Sequence, residues 1–499
     1  MVSIGAATPT SSVPLLDGTG APGGRARGAR APAGALRALG VAGLAGVLVG
    51  AGLLSAGAAG APTPFVPARS GGWPSWLAGP LAGLHVGLSD GRFQASVLLM
   101  CAGYVLVLCS SRALPMAAIA AAVVAAHVIL LLGPPLLSQD VFGYMAFARM
   151  GALHGLDPYT HFPSEAAGDQ VFQFIGWPFQ HSPYGPLFTL ASYLTAPLGL
   201  AAALWLLKAL AVAASLAAIA VIGRAAGQLG HSTRWAVAFV GLNPVVLALA
   251  VGGAHNDTLI MLVIALALAL SAKAVPRYRA AALTLAAGVG VKVTAGLLLP
   301  FLVLAPTRMR ERVAVAGTAA LGLAALAAIG LIGFGGHALG FIGAVGEQQQ
   351  LVATHSIPAE TARLFGLSGT PAWWRHLFLA AFAVVLVAAL WRTARGADWR
   401  VAAGWSTLAL LLCTAWLLPW YAVWLLPLAA VSGDRRLRAA ALVLCAYAVL
   451  IHLSLADPLL SAARHRVHYR LPFPVPGVRH RLELSGFQIL RDVHVDLRW

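Results

Sequence analysis

Two isolated carboxylates in this 499-residue chain stand where apolar runs end. The first, Asp140, lies in the segment Leu137-Ser-Gln-Asp-Val-Phe-Gly-Tyr144. On a helix, Asp140, Tyr144 and Phe147 would share one face at i, i+4 and i+7. A carboxylate beside the lipid headgroups can act as a base on a substrate that enters from the membrane. The structural alternative is a helix N-cap formed by Ser138 or Asp140.

The second carboxylate, Asp257, closes the segment Gly252-Gly-Ala-His-Asn-Asp257 between two apolar runs. No other acidic residue occurs between residues 169 and 311. An ionisable residue at such a boundary indicates a functional site by default. We assign Asp257, with His255 and Asn256, to orienting the hydroxyls of a sugar. The alternative is a simple turn, because Asn-Asp is common turn chemistry.

Lys292 interrupts the apolar stretch from Ala280 to Pro306. A lone cation in such a stretch costs roughly 3 kcal/mol unless it is paired or reached by water. A phosphate group would be a natural partner for its point charge. The alternatives are snorkelling to an interface and pairing with a helix-end carbonyl. Lys208 and His127 are instead expected to be structural, His127 as a satisfied core residue.

The segment 137–185 is dense in aromatic, proline and polar residues. Aromatic rings stack on the C–H faces of a sugar, and carboxylates and amides bind its hydroxyls. The candidate substrate-binding residues of this segment, besides Tyr144, are Asp157, Tyr159, His181 and Tyr184. An aromatic belt at the membrane interface is the alternative, but it does not explain the four acidic residues of the segment. The segments 347–358 and 416–421 are assigned to interface decoration, although the former could also close over a substrate.

No P-loop, HExxH or GxSxG motif in a strand–helix context occurs in the sequence. No pair of histidines at metal spacing stands beside a carboxylate on one helix, so no metal site is predicted, although assistance by a divalent cation stays open. The four cysteines lie in apolar stretches and form no disulfide framework. No cofactor is predicted beyond a lipid-linked sugar donor, which is a substrate.

The composition requires a membrane protein, because 59% of the residues are hydrophobic, 10% are charged and the mean hydropathy is +0.82. A soluble domain carries about 25% charged residues, so a water-soluble globule is excluded. The net charge of +17 indicates arginine-bearing cytoplasmic loops rather than a nucleic-acid partner.

The apolar runs predict an all-α, polytopic bundle of about 11 to 13 membrane segments. Its membrane domain spans 36–456, between a disordered cytoplasmic tail at 1–35 and a basic tail at 457–499. Residues 186–200 could form a re-entrant or surface-lying helix. The basic loops place two long loops, 137–185 and 336–375, outside the cytoplasm. Arg308 and its basic neighbours are cytoplasmic only if the stretch 280–306 is a hairpin broken near Lys292.

An ordered set of short segments between about residues 110 and 430 resembles the actinobacterial polyprenol-phosphomannose-dependent α-1,6-mannosyltransferases, within the GT-C class of membrane glycosyltransferases. The matching segments are Ser138–Tyr144, Gly155–Tyr159, Ser182–Phe188, Asn243-Pro244, Gly252–Asp257 and Lys292–Thr294. The resemblance implies a polyprenyl-monophosphate sugar donor and a lipid-linked mannan or glycolipid acceptor. It also implies that Asp140 is the general base, and it maps the second acidic position of the family onto Asp257.

The sequence therefore predicts a multi-pass mannosyltransferase of the plasma membrane with its active site on the extracytoplasmic face. Transfer would be an inverting single displacement that forms an α-1,6 linkage, and Lys292 would hold the leaving phosphate. A transporter or lipid flippase is the alternative. It would require ionisable residues paired near the bilayer midplane and an internal repeat. A non-enzymatic scaffold would not need Asp140 and Asp257 on one side of the membrane.

Overall fold

The computed structural model describes residues 33–66, 74–451, 453, 467–468 and 493–494. The predicted tails at 1–35 and 457–499 lie largely outside these residues. Within the C-terminal tail, two described strands, β1 (Val467–His468) and β2 (Val493–His494), pair in parallel. The rest of the ordered secondary structure is helical, as the sequence predicts.

The α-helices are α1 (Ala33–Gly60), α2 (Ser75–Ala78), α3 (Asp90–Ser110), α4 (Met116–Leu131), α5 (Asp140–His154), α6 (Pro186–Tyr193), α7 (Gly199–Gln228), α8 (Thr233–Gly241), α9 (Asp257–Ser271), α10 (Tyr278–Val289), α11 (Leu299–Leu304), α12 (Met309–Phe334), α13 (Gly340–Gln348), α14 (Ile357–Leu364), α15 (Ala372–Ala394), α16 (Trp399–Cys413), α17 (Leu426–Val431) and α18 (Arg435–Leu450). Short 3-10 helices span Pro80–Leu84, Pro163–Ala166, Phe172–Phe174, Ala196–Leu198, Val293–Leu298, Gly335–His337 and Pro419–Trp424, and a π-helix spans Val245–Val251.

Among the described residues, five helical segments are long and apolar enough to cross a membrane. They span Gly34–Gly60, Asp90–Ser110, Pro186–Gln228, Met309–His337 and Ala372–Ala394. A sixth forms if α8 and the following π-helix, which are bent by 44°, make one span. Five shorter apolar helices accompany them. The chain is therefore a helical membrane protein, and the finer count of about 11 to 13 segments stays a prediction.

The long loops predicted at 137–185 and 336–375 are partly helical. The first contains α5, and the second contains α13 and α14. Residues 186–200 open the helical segment Pro186–Gln228 but are not one continuous α-helix, because α6 has eight residues and the 3-10 helix Ala196–Leu198 separates it from α7. At 1.5 Å per residue, a helix of that length rises only about 12 Å and is too short to span a bilayer alone.

The apolar stretch from 280 to 306 is broken close to Lys292, as the placement of its basic neighbours requires. Helix α10 ends at Val289, and Lys292 has an extended backbone before the 3-10 helix Val293–Leu298. Helix α11 then packs back against α10. The chain thus returns to the end of the bundle from which α10 began.

The basic loops between helices meet at one end of the bundle. Arg234 donates a hydrogen bond to the carbonyl of Arg112, and Arg312 donates one to the carbonyl of Ala394. The Arg438 guanidinium lies 4.8 Å from the ring centroid of Trp235. From this end, α4 leads across the bundle toward Asp140. Connectivity therefore separates the arginine-bearing end from the end that carries Asp140.

The two buried polar residues expected to be structural have internal partners. The His127 ring contacts the carbonyl of Val123 at 2.8 Å and the hydroxyl of Ser215 at 2.9 Å. The Lys208 ammonium donates to the carbonyl of Leu130, in the last turn of α4, and to that of Pro134, just beyond α4. Both predictions are confirmed, and both residues tie α4 to α7.

Candidate active site

Asp140 is the first residue of α5 and lines a cleft at the end of the bundle away from the basic loops. The Ser138 hydroxyl accepts a hydrogen bond from the Asp140 amide at 3.1 Å. Gln139 occupies the cap position and Asp140 is already the first helical residue, so the Asp140 carboxylate does not cap the helix; its side chain is 13% exposed. The N-cap alternative for Asp140 does not hold, and the carboxylate is available to the cleft.

The cleft is enclosed by segments that are far apart in the sequence. Phe147 of α5 lines it together with Asp140, on the same face of the helix, as the spacing predicts. Trp177, His181 and Tyr184 come from the first long loop, and Lys292 comes from the break after α10. Further wall residues include Gln180 and Pro183 of the first long loop and, from later segments, Gln348, Leu351, Trp416, Leu418 and Tyr421. Aromatic rings therefore surround one carboxylate and one ammonium group.

Behind the cleft wall, His255 faces Asp140. Its Nδ1 lies 3.3 Å from a carboxylate oxygen of Asp140, which is within ion-pair distance. Neither ring nitrogen of His255 has a partner in hydrogen-bond geometry. The ring is fully buried and stacks on Trp420 with centroids 3.8 Å apart. The sequence predicts that His255 orients sugar hydroxyls, whereas the structure places its ring, fully buried, behind Asp140 and not among the residues that line the cleft.

Electrostatics keep Asp140 ionised. Burial raises the pKa of the Asp140 carboxyl, but the neighbouring His255 imidazole, the Lys292 ammonium and the Trp177 indole stabilise its charged form. The net result is a pKa below the ordinary value of an aspartate. At neutral pH the cleft therefore contains a carboxylate that can accept a proton.

Asp257 is fully buried and is the partner of Lys292. Its Oδ1 lies 2.8 Å from the Lys292 ammonium and accepts a hydrogen bond from the Trp424 indole at 2.7 Å. The ammonium also lies 4.5 Å from the ring centroid of Tyr421 and 5.1 Å from that of Trp424. The sequence predicts a phosphate, the membrane interface or a helix-end carbonyl as the partner of Lys292, whereas the structure gives it a carboxylate. Lys292 reaches the cleft, whereas Asp257 lies one contact behind it.

Asn256 is held by Tyr144. The Tyr144 hydroxyl donates a hydrogen bond to the Asn256 side-chain oxygen at 3.3 Å and accepts one from the Asn256 backbone N–H. Neither residue lines the cleft, although both were predicted to bind substrate. Tyr144 therefore joins α5 to the turn before α9 and fixes Asp140 relative to Asp257.

Two non-glycine residues with left-handed backbone flank this polar cluster. Leu137 has φ of +59° and Ala254 has φ of +56°. Such conformations cost about 1–3 kcal/mol each and persist where the surrounding structure imposes them, often at functional sites. The two segments are tied together, because the Leu136 amide donates to the carbonyl of Gly252. Strain is thus placed beside Asp140 and beside His255.

A close backbone approach brings the first long loop against Lys292. The Gly185 amide donates to the carbonyl of Val291 at 3.0 Å. A Cβ at Gly185 would lie 2.5 Å from backbone atoms of Val289 and Gly290. Only glycine permits this approach, which sets Tyr184 beside Lys292 in the cleft wall.

Asp157 and Tyr159, which the sequence predicts to bind substrate, are not among the residues that line the cleft. The Asp157 carboxylate contacts His337 at 3.0 Å and caps the Tyr159 amide. The Tyr159 ring packs with Phe334 and Phe341, and its hydroxyl donates to the carbonyl of Tyr184. These two residues join the two long loops to each other.

The sequence interpretation missed much of the cleft wall. Trp416 and Tyr421 were assigned to interface decoration, as was the segment that contains Gln348, yet all three line the cleft. The dense aromatic and proline run Trp416-Leu-Leu-Pro-Trp-Tyr421 was the available signal. Within the described residues, no group of three or more His, Cys, Asp and Glu side chains could hold a metal ion.

The amino-acid sequence connects this site to a known protein family. A family model described as alpha-(1->6)-mannopyranosyltransferase, N-terminal domain, matches residues 37–308, more than half of the chain. The chain belongs to this mannosyltransferase family. A second model, the MptB C-terminal domain, matches residues 367–460. The two matches cover Asp140, Asp257 and Lys292 in the first domain and Trp416 to Trp424 in the second.

Two mycobacterial relatives support the assignment. An alpha-(1->6)-mannopyranosyltransferase A of Mycobacterium tuberculosis is 29% identical over 347 residues, which are 63% of this chain and 65% of that protein. A second alpha-(1->6)-mannopyranosyltransferase of the same organism is 32% identical over 142 residues, 26% of this chain and 23% of that protein. The chain thus spans less than two thirds of the length of either relative. No solved structure is significantly similar to it.

Proposed function

We propose that this mannosyltransferase-family protein transfers a mannosyl group from a polyprenyl-monophosphate donor to a lipid-linked mannan or glycolipid acceptor, with formation of an α-1,6 linkage. The observation that carries the proposal is the ionised Asp140 carboxylate in an aromatic cleft that also contains the Lys292 ammonium. The family membership supports the sugar and the linkage.

In the proposed reaction, Asp140 accepts the proton of the acceptor hydroxyl as that hydroxyl attacks the anomeric carbon. One positioned general base contributes about 10²–10⁴-fold to the rate. His255 lies 3.3 Å from the carboxylate behind the cleft wall, and the Trp177 indole stabilises the charged form from within that wall. The base is thereby oriented before the substrate arrives.

Lys292 provides positive charge for the phosphate that leaves. Asp257 and the rings of Tyr421 and Trp424 fix the ammonium group at the edge of the cleft. A fixed charge near the oxygen that becomes negative stabilises the transition state without reorganisation. Asp257 accordingly positions Lys292 and does not itself bind a hydroxyl.

The sugar–phosphate bond of such a donor is already activated, so no nucleotide is needed. Attack opposite the leaving phosphate inverts the anomeric centre, so a β-linked donor gives an α-linkage. The cleft lies at the end of the bundle opposite the arginine-bearing loops. Under the positive-inside rule this end is extracytoplasmic, and we place the protein in the plasma membrane.

The ion pair of Asp257 and Lys292 bears on the transporter alternative. Asp257 is the first residue of α9, and Lys292 lies three residues beyond the end of α10. The pair is therefore at helix ends beside the cleft and not in the middle of two spans. This position fits a site at the membrane boundary better than a transport site at the midplane.

The test is to incubate membranes that contain the protein with labelled polyprenyl-phosphate mannose and a mannoside acceptor. The proposal predicts a lengthened product whose new bond is α-1,6 by linkage analysis. Membranes without the protein serve as the control. Absence of transfer, or transfer with a different linkage, would contradict the proposal.

A further inference from the structure

His181 is held on two sides at the wall of the cleft. Its Nδ1 lies 3.0 Å from both carboxylate oxygens of Glu347. Its ring stacks on Phe162, with centroids 4.2 Å apart and an interplanar angle of 29°. The side chain is 16% exposed and lines the same cleft as Asp140 and Lys292. A ring fixed in this way has a defined orientation.

The contact with Glu347 determines which ring atom is available. The Nδ1–H donates to the carboxylate, so Nε2 is the atom left for a molecule in the cleft. When the ring is protonated, Nε2 carries the proton that such a molecule can accept. Glu347 is 43% exposed, so water screens its charge from the cleft more than the charge of His181.

Asp140, Lys292 and Asp257 together give the cleft no net positive charge. The positive charge of Lys292 is compensated by Asp257 at 2.8 Å. Asp140 adds a negative charge to the same wall. A monoanionic phosphodiester would therefore enter a cleft without net positive charge unless a further group supplied it. Among the described cleft-lining residues, His181 is the remaining side chain that can do so between pH 5 and 8.

We propose that His181, oriented by Glu347, binds the donor phosphate as an imidazolium and donates a hydrogen bond from Nε2–H to a phosphate oxygen. This inference rests on the proposed function. When the bond from the anomeric carbon to the phosphate oxygen breaks, its electron pair stays on that oxygen. The proton of the acceptor hydroxyl goes to Asp140, and His181 retains its own proton. His181 thereby stabilises the charge of the leaving phosphate.

The pH dependence of donor binding tests this contact. A phosphodiester has no titrating group near neutral pH, so its charge is constant there. The titratable and charged groups that face His181 are Glu347 on α13 and, across the cleft, Asp140, Lys292, Tyr184 and Tyr421. Asp140 is ionised throughout this range, and tyrosines ordinarily titrate near 10. His255 lies 3.3 Å from Asp140, so a change between pH 5.5 and 8.5 is assigned to His181 only where His181→Gln removes it.

The experiment measures KM and kcat for polyprenyl-phosphate mannose from pH 5.5 to 8.5. In the wild type, KM should rise with pH as the imidazolium is lost. In His181→Gln, KM should be about tenfold higher or more at the acidic end, and nearly independent of pH. In Glu347→Gln, KM should be higher than in the wild type, because Nδ1–H loses the carboxylate that orients the ring.

His337→Gln is the matched control. His337 contacts Asp157 at 3.0 Å, with the same kind of pairing, near the other end of α13 and outside the cleft. It should keep the wild-type profile. If His181→Gln has the wild-type profile, or if His337→Gln abolishes the pH dependence equally, the inference is wrong, and the latter result would assign the effect to docking of α13.

A second readout separates this inference from the proposed function. Titration calorimetry measures the binding of farnesyl-phosphate mannose to the purified protein and requires no turnover. If the wild type transfers mannose but His181→Gln binds this probe with unchanged affinity at pH 6, only the present inference fails. If the wild type shows no transfer, the proposed function fails, and pH-dependent binding still decides whether His181 contacts the phosphate.

Discussion

The buried ion pair of Asp257 and Lys292 gives a quantitative prediction for stability. The two charged groups are 2.8 Å apart, with side chains 0% and 12% exposed. At an effective dielectric constant of about 20, their attraction is about 6 kcal/mol before desolvation is counted. Because both groups lose water on folding, the net value is smaller. Removal of one partner from such a pair costs about 3–5 kcal/mol, since the other charge is left buried and unpaired.

We therefore expect Asp257→Asn and Lys292→Met each to lower the free energy of unfolding by about 3 kcal/mol or more. The double variant should lose much less than the sum, because it leaves no unpaired charge. Cation–π contacts with Tyr421 and Trp424 partly compensate the lysine in Asp257→Asn, so Lys292→Met should be the more severe single change.

The assay is equilibrium unfolding of the purified protein in mixed micelles with increasing SDS, arranged as a double-mutant cycle. Asp398→Asn, in an exposed pair with Arg400, is the matched control and should change stability by about 1 kcal/mol or less. If the effects of the two substitutions simply add within about 0.5 kcal/mol, the pair is not coupled and the reasoning is refuted.

Two further predictions concern the walls of the cleft and the first long loop. Gly185→Ala should separate Tyr184 from the break at Lys292, because the added Cβ would lie 2.5 Å from backbone atoms. We expect transfer activity to fall at least tenfold and the free energy of unfolding to fall by about 1–3 kcal/mol. Gly168→Ala is the control and should stay near wild type, because nothing lies within 4 Å of its Cβ. A wild-type rate for Gly185→Ala would contradict the proposed approach. Burial raises the pKa of Asp169, but hydrogen bonds from Arg149, the Val171 amide and His154 lower it by more than burial raises it. The pKa of Asp169 in the folded protein therefore lies below the usual value. Its stabilisation is present above the unfolded pKa of about 3.9 and is lost as the pH falls through the folded pKa. Asp169→Asn should therefore unfold at a lower temperature than wild type at pH 7, with a difference that shrinks below about pH 4; a difference that does not change with pH would be evidence against this origin.

Composition and hydrophobic runs were sufficient to predict the fold class. The low charge and the long apolar stretches require a helical membrane bundle. The break near Lys292 also followed from the sequence, because only a chain reversal there puts the basic residues 308–312 at the same end as the other basic loops. These inferences depend on local composition and on alternation between the two ends of the bundle, both of which a single sequence contains.

The convergence of Asp140 with the turn before Asp257 was predicted from the side of the membrane that each residue occupies. The identity of the contacts was not. The sequence does not show that Lys292 pairs with a carboxylate 35 positions away, or that Trp424 donates to the same carboxylate from 167 positions away. Such contacts follow from the packing of α9 against the 3-10 helices Val293–Leu298 and Pro419–Trp424. For the same reason His255 and Asn256 were placed in the cleft, whereas they support it from behind.

The aromatic wall was underestimated because aromatic residues near a membrane boundary have two common roles. Trp416 and Tyr421 have the composition expected of an interfacial belt. Their inward orientation depends on Pro419 and the 3-10 helix that follows it. Proline at the start of a short helix is compatible with several chain directions, so the sequence pattern alone did not select the cleft.

The general base is the central claim, and Asp140→Asn tests it most directly. The substitution removes the charge and the proton-accepting oxygen but keeps the size of the side chain. With labelled polyprenyl-phosphate mannose as donor, we expect kcat to fall by about 10²–10⁴-fold while unfolding in SDS stays close to that of the wild type. Asp398→Asn, at the end of α16 that is far from Trp416, should retain wild-type turnover. Wild-type turnover by folded Asp140→Asn would contradict the account.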